Sequence, residues 1–561
     1  NAGNPVGEVL AETVTSITGD YRLTLPEGVN LAGNLVVRIT GTGTEMRAQV
    51  VDQAVNINPV SEFVLRKFIE EGADLDQLVV TDVVTLSGKV DTFDLTAGND
   101  LSDMLAKLDQ EVGEFVEQQV AVIKEQPGDA DSVTGDYRSA AFSLGLHDSD
   151  NDNFGTFAND MWRGQFDFAD GGGNTVAITL EGEESAYSNF SGMSGATGSI
   201  YYETDIDTES ENLSGTLTDS GILSIEGAFE EEINGDNAFR YPSVIYNLQQ
   251  VQNTGLFFLL SQEGDEEPDA LDPNDRRGDE VFRALEVFAR SPSGMSDSDL
   301  SGAFGRVFLE TYAQTGVIEL QTEVNVVTFN GDGTFDYGDA TGHRVGLESN
   351  GSTYQTLSET GSTGDAINVS ADGDIISAGT EDGQPVPTDG FINDTFDFIA
   401  FAETENNENI WAQFNKTLMV KLPDSAPDVS GKRYRLMLLS VALDGVGNGS
   451  SDIEMINSQF NSYVNLTSNT AGTLNGSFTL VEKTGLGGDL VVEQDTVDEP
   501  LTASIAANGA TTLTLAGQDG SNIMEGFFNQ DASLGVFTTR WVPQGGDPNE
   551  LGLVVLIDVT E

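Results

Sequence analysis

The residues best suited to chemistry are carboxylates and carboxamides that recur at alternate positions in acidic loops. The first loop places Asp148, Asp150 and Asp152 in alternation with Ser and Asn. Calcium takes about six to eight hard oxygen ligands, and alternate residues of a loop can turn inward to supply them. The pattern favours a calcium site but excludes an EF-hand, because Asn153 and Asn159 stand where that loop requires Gly and Glu.

A second acidic loop offers a similar set of ligands. Asp272, Asn274 and Asp275 lie within an acidic insertion at positions 264–280, and a third cluster spans 330–336. The competing interpretation is solvated turns, because 93 acidic residues make such groupings inevitable. Calcium is the one candidate cofactor that the sequence suggests.

Other chemistries have little support. His147 and His343 are the only histidines, and no Gly-x-Ser-x-Gly motif accompanies them, so both are predicted to lie in surface turns. The absence of cysteine excludes thiol catalysis and zinc-thiolate sites. No glycine-rich phosphate loop or nucleotide fingerprint is present. The sequence therefore predicts a protein that is not an enzyme.

The charge of the chain limits the classes of partner that it is expected to bind. Lys and Arg number 24 against 93 Asp and Glu, which gives a formal net charge of −69. Nucleic acids and anionic membrane surfaces repel such a chain, so neither is an expected partner. No apolar run reaches the roughly 20 residues of a transmembrane helix. We expect an extracellular protein or one on the outer surface of a bacterial cell.

The elements that must position these residues are organised in a unit that occurs three times. Each copy opens on a polar turn whose glycine leads into an aromatic residue, an arginine and an apolar strand; these glycines are Gly135, Gly302 and Gly431. A later turn carries a second glycine in each copy: Gly221, Gly373 and Gly509. The opening glycines lie 167 and 129 residues apart. We expect three β units at 129–294, 295–425 and 426–561, each with its own core.

Each unit is predicted to close on an apolar hairpin. The paired segments are 255–260 with 285–288, 410–414 with 418–422, and 535–537 with 551–557. Short strands and glycine turns over this length are typical of an antiparallel barrel or sandwich. The strand order is similar to that of lipocalin-like barrels, although Gly135-Asp-Tyr and Gly431-Lys-Arg-Tyr replace the Gly-x-Trp of that family.

Residues 1–57 are predicted to form strands. The segment 18–28 has a turn, an alternating strand and a second turn, and 35–39 with 46–51 form a hairpin. The stretch Gly19-Asp-Tyr-Arg-Leu-Thr-Leu-Pro26 resembles the carboxypeptidase-regulatory-like β-sandwich, which is similar to transthyretin. One or two strands normally precede this part in that family, so the resemblance implies an incomplete sandwich.

Residues 58–128 are predicted to be helical. Asn58 is a good N-cap with Pro59 after it, the apolar residues between Val83 and Phe93 suggest a second helix, and 101–123 keep a 3.6-residue period. The segment 56–63 and the helices after it resemble a region behind such sandwiches in surface lipoproteins of marine bacteria. That resemblance implies no defined activity.

The sequence thus predicts a mainly β chain: an N-terminal β-sandwich, a short helical segment and three repeated antiparallel barrel or sandwich domains. The favoured function is a non-enzymatic structural or adhesive surface protein, including a self-assembling filament subunit. The alternative is a surface-lipoprotein-type module that holds a small apolar ligand in its barrels. Its partners would be other copies or other surface components. The last strand, 551–559, is expected to close the third unit; the alternative is that it completes the sheet of a neighbour within 1–51.

Overall fold

The structure is a computed structural model. It describes residues 9–16, 18–26, 34–40, 45–50, 54–73, 75, 78, 83–84, 86–87, 90, 100–147, 157–191, 199–208, 210–226, 245–252, 254–263, 280–348, 351–364, 366–377, 380–381, 384–385, 390–407, 410–446, 450–484 and 490–560. The chain divides near residue 126 into two compact units, an N-terminal unit and a larger unit that begins at Pro127. It is mainly β, with repeated barrel domains.

The N-terminal unit contains a β-hairpin and helices. The hairpin is formed by β1 (Val36–Thr40) and β2 (Glu45–Gln49), and the helices are α1 (Pro59–Glu70) and α2 (Leu101–Ile123). The Asn58 side chain caps α1 by accepting a hydrogen bond from Ser61 N, while Ser61 Oγ accepts one from Asn58 N. The predicted hairpin and the predicted helices at 58–72 and 101–123 are confirmed, whereas the helix predicted between Val83 and Phe93 lies only partly within the described residues.

The core of this unit lies between its helices. Phe63, Phe68, Leu108 and Val116 are buried there, together with apolar residues of the short helical stretch near position 86. Residues 21–26 alternate between half-buried and exposed, yet no β-ladder includes them among the described residues. The alternating strand predicted at this place is therefore not assigned as a β-strand, although the turn at 16–20 is present.

The first β unit is a closed barrel of eight strands with one strand added at its edge. Its strands are β3 (Gly135–His147), β4 (Phe157–Gly172), β5 (Thr175–Ser191), β6 (Ser199–Asp207), β7 (Glu211–Leu217), β8 (Ile222–Glu226), β9 (Ile245–Gln250), β10 (Leu256–Glu263) and β11 (Glu280–Arg290). Their order is β4-β3-β11-β10-β9-β8-β7-β5-β6, and pairing of β4 with β5 closes the barrel.

The second β unit is an 11-stranded sheet with a separate two-stranded ribbon, β20–β21. Its strands are β12 (Ser301–Gln314), β13 (Val317–Asn330), β14 (Phe335–Tyr337), β15 (Ala340–Glu348), β16 (Gly351–Glu359), β17 (Ser362–Thr363), β18 (Ile367–Val369), β19 (Asp374–Ser377), β20 (Thr380–Glu381), β21 (Gln384–Pro385), β22 (Gly390–Ile392), β23 (Phe398–Asn407) and β24 (Trp411–Lys421). The main order is β16-β15-β13-β12-β24-β23-β22-β19-β18.

The third β unit is again a closed barrel of eight strands, with β26 paired at its edge. Its strands are β25 (Lys432–Val446), β26 (Ser450–Ser458), β27 (Tyr463–Ser468), β28 (Ala471–Thr484), β29 (Leu490–Ile505), β30 (Ala510–Ala516), β31 (Gly520–Phe528), β32 (Leu534–Pro543) and β33 (Glu550–Asp558). The last strand, β33, pairs with β32 on one side and β25 on the other. Its expected role as the closing strand is confirmed, and neither of its edges is free to serve a neighbour.

The repeated glycines occupy equivalent turns. Gly135, Gly302 and Gly431 all have positive φ at the start of the first strand of their units. In each later turn the glycine N–H closes the turn and its carbonyl accepts a bond from the next strand; the donors are Gln250 N, Ile392 N and Phe528 N. Positive φ is easily adopted only by glycine, so the repeat is a repeat of turn geometry.

Each β unit has an apolar core of its own, and a fourth core is shared by all three. Successive residues of a strand face different cores: Phe257 and Leu259 face the interior of the first barrel, while Phe258 between them faces the shared core. In β33, Val554 faces the interior of the third barrel and Val555 faces the shared core. The expectation of three units with separate cores is therefore incomplete. Strands at the contact are apolar on both faces because both are buried.

The three β units contact one another in a closed cycle. The first strand of each unit packs on the late strands of another: β3 on β23 and β24, β12 on β31 to β33, and β25 on β10 and β11. Polar bonds cross each contact, such as Arg138 Nε to Asp374 Oδ1 at 3.0 Å and Arg435 Nε to Gln249 Oε1 at 2.9 Å. A head-to-tail contact that repeats three times and returns to its start makes a ring with approximate threefold symmetry.

One predicted hairpin is a single strand. Residues 410–414 and 418–422 were expected to pair with each other across a turn at Asn415–Thr417, but β24 runs straight from Trp411 to Lys421 and pairs with β12 and β23. The polar residues at its centre resemble a turn in sequence, but all three are buried. Among the described helices, none has the length and apolar character needed to span a bilayer.

Candidate functional site

The two loops predicted to bind calcium lie outside the described residues. They contain Asp148, Asp150, Asp152, Asp272, Asn274 and Asp275. The third acidic cluster is visible as the β13–β14 turn, where Asp332 Oδ1 accepts bonds from Thr334 N at 3.0 Å and Thr334 Oγ1 at 2.6 Å. These bonds lower the pKa of Asp332. Among the described residues no group of three His, Asp or Glu side chains is arranged to hold a metal.

The histidines are in strands rather than in surface turns. His147 ends β3 and His343 lies in β15, so the prediction for both is wrong. His343 Nδ1 lies 2.8 Å from Tyr354 Oη, and its Nε2 lies 3.9 Å from Glu525 Oε2 of the third unit. Burial and the nearby Arg540 lower the pKa of His343 to about 4. It is therefore neutral at neutral pH and forms part of the contact between two units.

The most unusual group in the ring is the ammonium of Lys416. Its side chain is 1% exposed and projects from β24 into the shared core, where Nζ donates to the carbonyl of Ala140 in β3 at 2.7 Å. Burial lowers the pKa of Lys416 to about 7, while the Glu286 carboxylate opposes that shift. A buried amine of this kind can exchange a proton near neutral pH.

The register of the three units shows that Lys416 is an exception within the repeat. The buried aromatics Tyr137, Phe304 and Tyr434 are paired with Arg290, Lys421 and Asp558, respectively. The residues five positions before these partners therefore occupy equivalent positions in the three units, and they are Leu285, Lys416 and Leu553. The two leucines lie in the shared core. Sequence analysis missed Lys416 because it treated the centre of β24 as a turn, and comparison of the three closing strands would have found it.

Two carboxyl groups are also held in protonatable environments. Burial raises the pKa of Glu550 to about 7, although Ser440 Oγ donates to its Oε1 at 2.6 Å. Burial likewise raises the pKa of Glu310 to about 7, and Gln413 Nε2 donates to its Oε2 at 2.8 Å. Glu310 belongs to the second unit and Glu550 to the third. Neither carboxylate contributes to the pKa shift of the other.

Aromatic side chains pack together inside the first barrel. Tyr137 stacks on Phe168 with ring centroids 4.2 Å apart, and Phe257 lies 6.3 Å from Phe168. Elsewhere in the same barrel, a Cβ added at Gly145 would be 2.4 Å from the Phe282 ring. Glycine at this position leaves room for an aromatic ring of the protein itself.

The N-terminal unit has a groove of about 670 Å³ beside α1 and α2. Phe63, Leu101 and Leu105 form its apolar part. Its most buried cation, Lys67, already bonds Asp109 Oδ1 at 2.6 Å and also bonds Glu117. The volume is that of a small-molecule site, but its central charge is neutralised by the helices that form it.

Comparison with known proteins places the chain in no family. No family model matches it, and no curated protein matches it. Among solved structures, a protein assigned as AttH from Nitrosomonas europaea aligns at 8% identity with a TM-score of 0.16, covering 77% of this chain and 94% of that one. Kievitone hydratase from Nectria haematococca aligns at 9% identity with a TM-score of 0.18, covering 78% and 91%. OmpF from Salmonella typhi, in complex with daunomycin, gives 7% identity and a TM-score of 0.14, covering 76% and 98%. Alignments at these scores carry no argument about fold or function.

Proposed function

We propose that this chain is a non-enzymatic structural or adhesive protein of the outer surface of a bacterial cell, and that it assembles with other copies of itself. The ring of three β units is the rigid part of that protein. The N-terminal unit makes the contacts between copies. The acidic loops at Asp148–Asp152 and Asp272–Asp275 bind calcium, which reduces the repulsion between carboxylates of the same loop.

The observation that carries this proposal is the way buried space is used. Each β unit has an apolar cluster of its own, and the contact between the units is a further apolar core. Within the described residues, the ionisable groups with large pKa shifts do not converge: Lys416 and His343 lie at contacts between units, whereas Glu310 and Glu550 are bonded to side chains of their own units. An arrangement of this kind supports rigidity, whereas catalysis needs such groups to converge on one cleft.

The location is tested on cells of the natural source. Limited protease treatment of intact cells should remove the protein while a cytoplasmic marker stays intact, and electron microscopy of the purified protein should show particles larger than one chain. Retention of the full-length chain after protease treatment of intact cells, with degradation only after lysis, would contradict a surface location.

The alternative, a module that carries a small apolar ligand, has less support. It requires space inside a barrel, and aromatic rings occupy the interior of the first barrel. Native mass spectrometry of protein purified from its source distinguishes the two functions. A constant added mass that denaturation releases would favour the carrier, whereas the bare mass of the chain favours the structural role.

A further inference from the structure

The N-terminal unit exposes an apolar segment that has no partner strand among the described residues. No helix or strand is assigned to Val9–Ser16, and Val9, Leu10 and Val14 are 60%, 41% and 87% exposed. Four of its eight residues are the β-branched Val9, Thr13, Val14 and Thr15, a composition that favours strands. Exposing three large apolar side chains within six residues is costly in water, so the segment is suited to a contact.

A tight turn follows this segment, but among the described residues the segments on its two sides do not pair as a hairpin. Ser16 N donates to Asp20 O at 2.8 Å, and Gly19, at a φ of +88°, donates to Ser16 O at 3.1 Å. No ladder pairing continues from this turn between 9–15 and 21–26. Among the described residues, the backbone of 9–15 therefore belongs to no β-ladder.

The same unit has a sheet edge that could receive such a strand. The outer edge of β2 is already covered, because Arg47 N donates to Glu62 Oε2 at 2.7 Å and Arg47 O accepts from Ser61 Oγ at 3.0 Å, both side chains of α1. Since Arg38 is paired opposite Arg47 and Arg47 turns its polar groups away from β1, this is a pair without mutual hydrogen bonds. The N–H and C=O of Arg38 then point outward too, and with them those of Val36 and Thr40.

Among the described residues the sheet has only two strands, and no strand pairs with the outer edge of β1 there. A two-stranded sheet gains stability from a third strand, and addition of an extended segment to an open edge is a common mode of recognition. The side chain of Arg38 is 60% exposed at this edge, and its Nη1 lies 3.8 Å from Oε1 of Glu45 in β2.

The distribution of charge favours this region as the place where a second copy of the chain can bind. Most of the protein repels other copies, because its net charge is −69 over 561 residues. Residues 1–50 are an exception, with five acidic and three basic residues. Two copies can therefore approach through this region at a smaller electrostatic cost than through most of their surface.

We propose that Val9–Ser16 of one copy adds as a strand to the outer edge of β1 in a second copy. Each chain then donates a strand and receives one. Two chains that exchange strands with each other form a closed dimer, whereas successive donation along a row forms a filament. The proposal rests on the proposed self-assembly and names the surface responsible for it.

The test compares two substitutions at one edge position of the full chain. Arg38→Pro removes the outward N–H that an added strand needs, and it spares the β1–β2 ladder because that N–H does not face β2. Arg38→Ala is the matched control, which loses the same side chain but keeps the N–H. In sedimentation velocity we expect Arg38→Ala to assemble as the intact protein does and Arg38→Pro to remain a single chain. Val14→Asn, at a residue exposed in the single chain, should weaken assembly without affecting folding.

Cross-linking separates a contact between copies from one within a chain. Because the sequence has no cysteine, a Val14→Cys variant can be mixed with a Thr40→Cys variant and oxidised. A disulfide-linked pair of chains that requires both variants is the expected result. A protein that stays a single chain at high concentration, or a cross-link formed only within the Val14→Cys/Thr40→Cys double variant, would overturn the inference. Assembly that Arg38→Pro leaves unchanged would overturn it too, yet would leave the proposed surface function standing.

Discussion

Lys416 is an ionisable residue that is buried because the strand in which it lies packs against another unit. Its equivalents in the first and third units are Leu285 and Leu553 (the three positions match by strand register), so an apolar side chain fits the same position. The ammonium keeps one bond to Ala140 O at 2.7 Å. Removing a charge from water costs several kcal/mol unless it is well paired, and the lowered pKa reflects that cost.

The pH dependence of stability follows from the pKa of Lys416. Burial lowers it from 10.5 in the unfolded chain to about 7 in the folded one, so between these values the unfolded state binds the additional proton. The free energy of unfolding of the wild type, minus that of Lys416→Met, should therefore rise with pH from about 7 to 10, by up to about 1.4 kcal/mol per pH unit. Urea titrations of both proteins at several pH values measure it. Parallel stability curves would show that Lys416 stays charged in the fold.

Turns were the elements that sequence patterns identified best, because their chemistry is local. Gly221, Gly373 and Gly509 were expected in equivalent turns, and all have positive φ. The centre of β24 was misassigned, because Asn415, Lys416 and Thr417 have the polarity of a turn and the burial of Lys416 depends on another unit. Contacts that are distant in sequence leave no periodic pattern, so the shared core could not be predicted from alternation within one strand.

Two glycine turns of the third unit allow steric and conformational effects to be separated. Gly509 has a φ of +78°, and an added Cβ would lie 2.5 Å from Phe528 O and 2.8 Å from Pro423 Cδ. Gly545 has a φ of +76° with nothing within 4 Å of an added Cβ. Both Ala variants have the same backbone strain, but only Gly509→Ala meets a clash. We expect it to be less stable than Gly545→Ala by about 1–3 kcal/mol in thermal or urea unfolding. Equal losses would mean that the turn moves away from Pro423 at no cost.

The acidic loops can be tested as elements although they lie outside the described residues. If Asp148–Asp152 or Asp272–Asp275 binds calcium in the folded chain only, the ion stabilises that chain by mass action. Chelation with EDTA at constant ionic strength should then lower the melting temperature by several degrees, and added calcium should restore it. A double variant with Asp150→Asn and Asp275→Asn should lose most of this response. A melting temperature unchanged by EDTA would indicate solvated turns.

At the scale of the whole chain, the cyclic contact makes each β unit depend on the other two. The shared core takes apolar residues from all three units, including Phe142, Leu309 and Val555. A separated unit would expose that apolar face to water, which its own interior core cannot compensate. The approximate threefold ring is therefore a single folding unit built from three repeats.

If the units depend on one another in this way, the ring should unfold as a whole and a separated unit should be poorly soluble. Residues 127–561 should unfold in one calorimetric transition whose van't Hoff and calorimetric enthalpies agree. The fragment 426–561 should aggregate or bind a hydrophobic dye, because Leu439, Leu553 and Val555 lose their partners from the other units. Its matched control is the same fragment with Leu553→Thr and Val555→Thr, which keeps β-branched or polar side chains on the outer face and should be more soluble. Three resolved transitions in 127–561, or a soluble and cooperatively folded 426–561, would show that the interior cores suffice and that the shared core contributes little to stability.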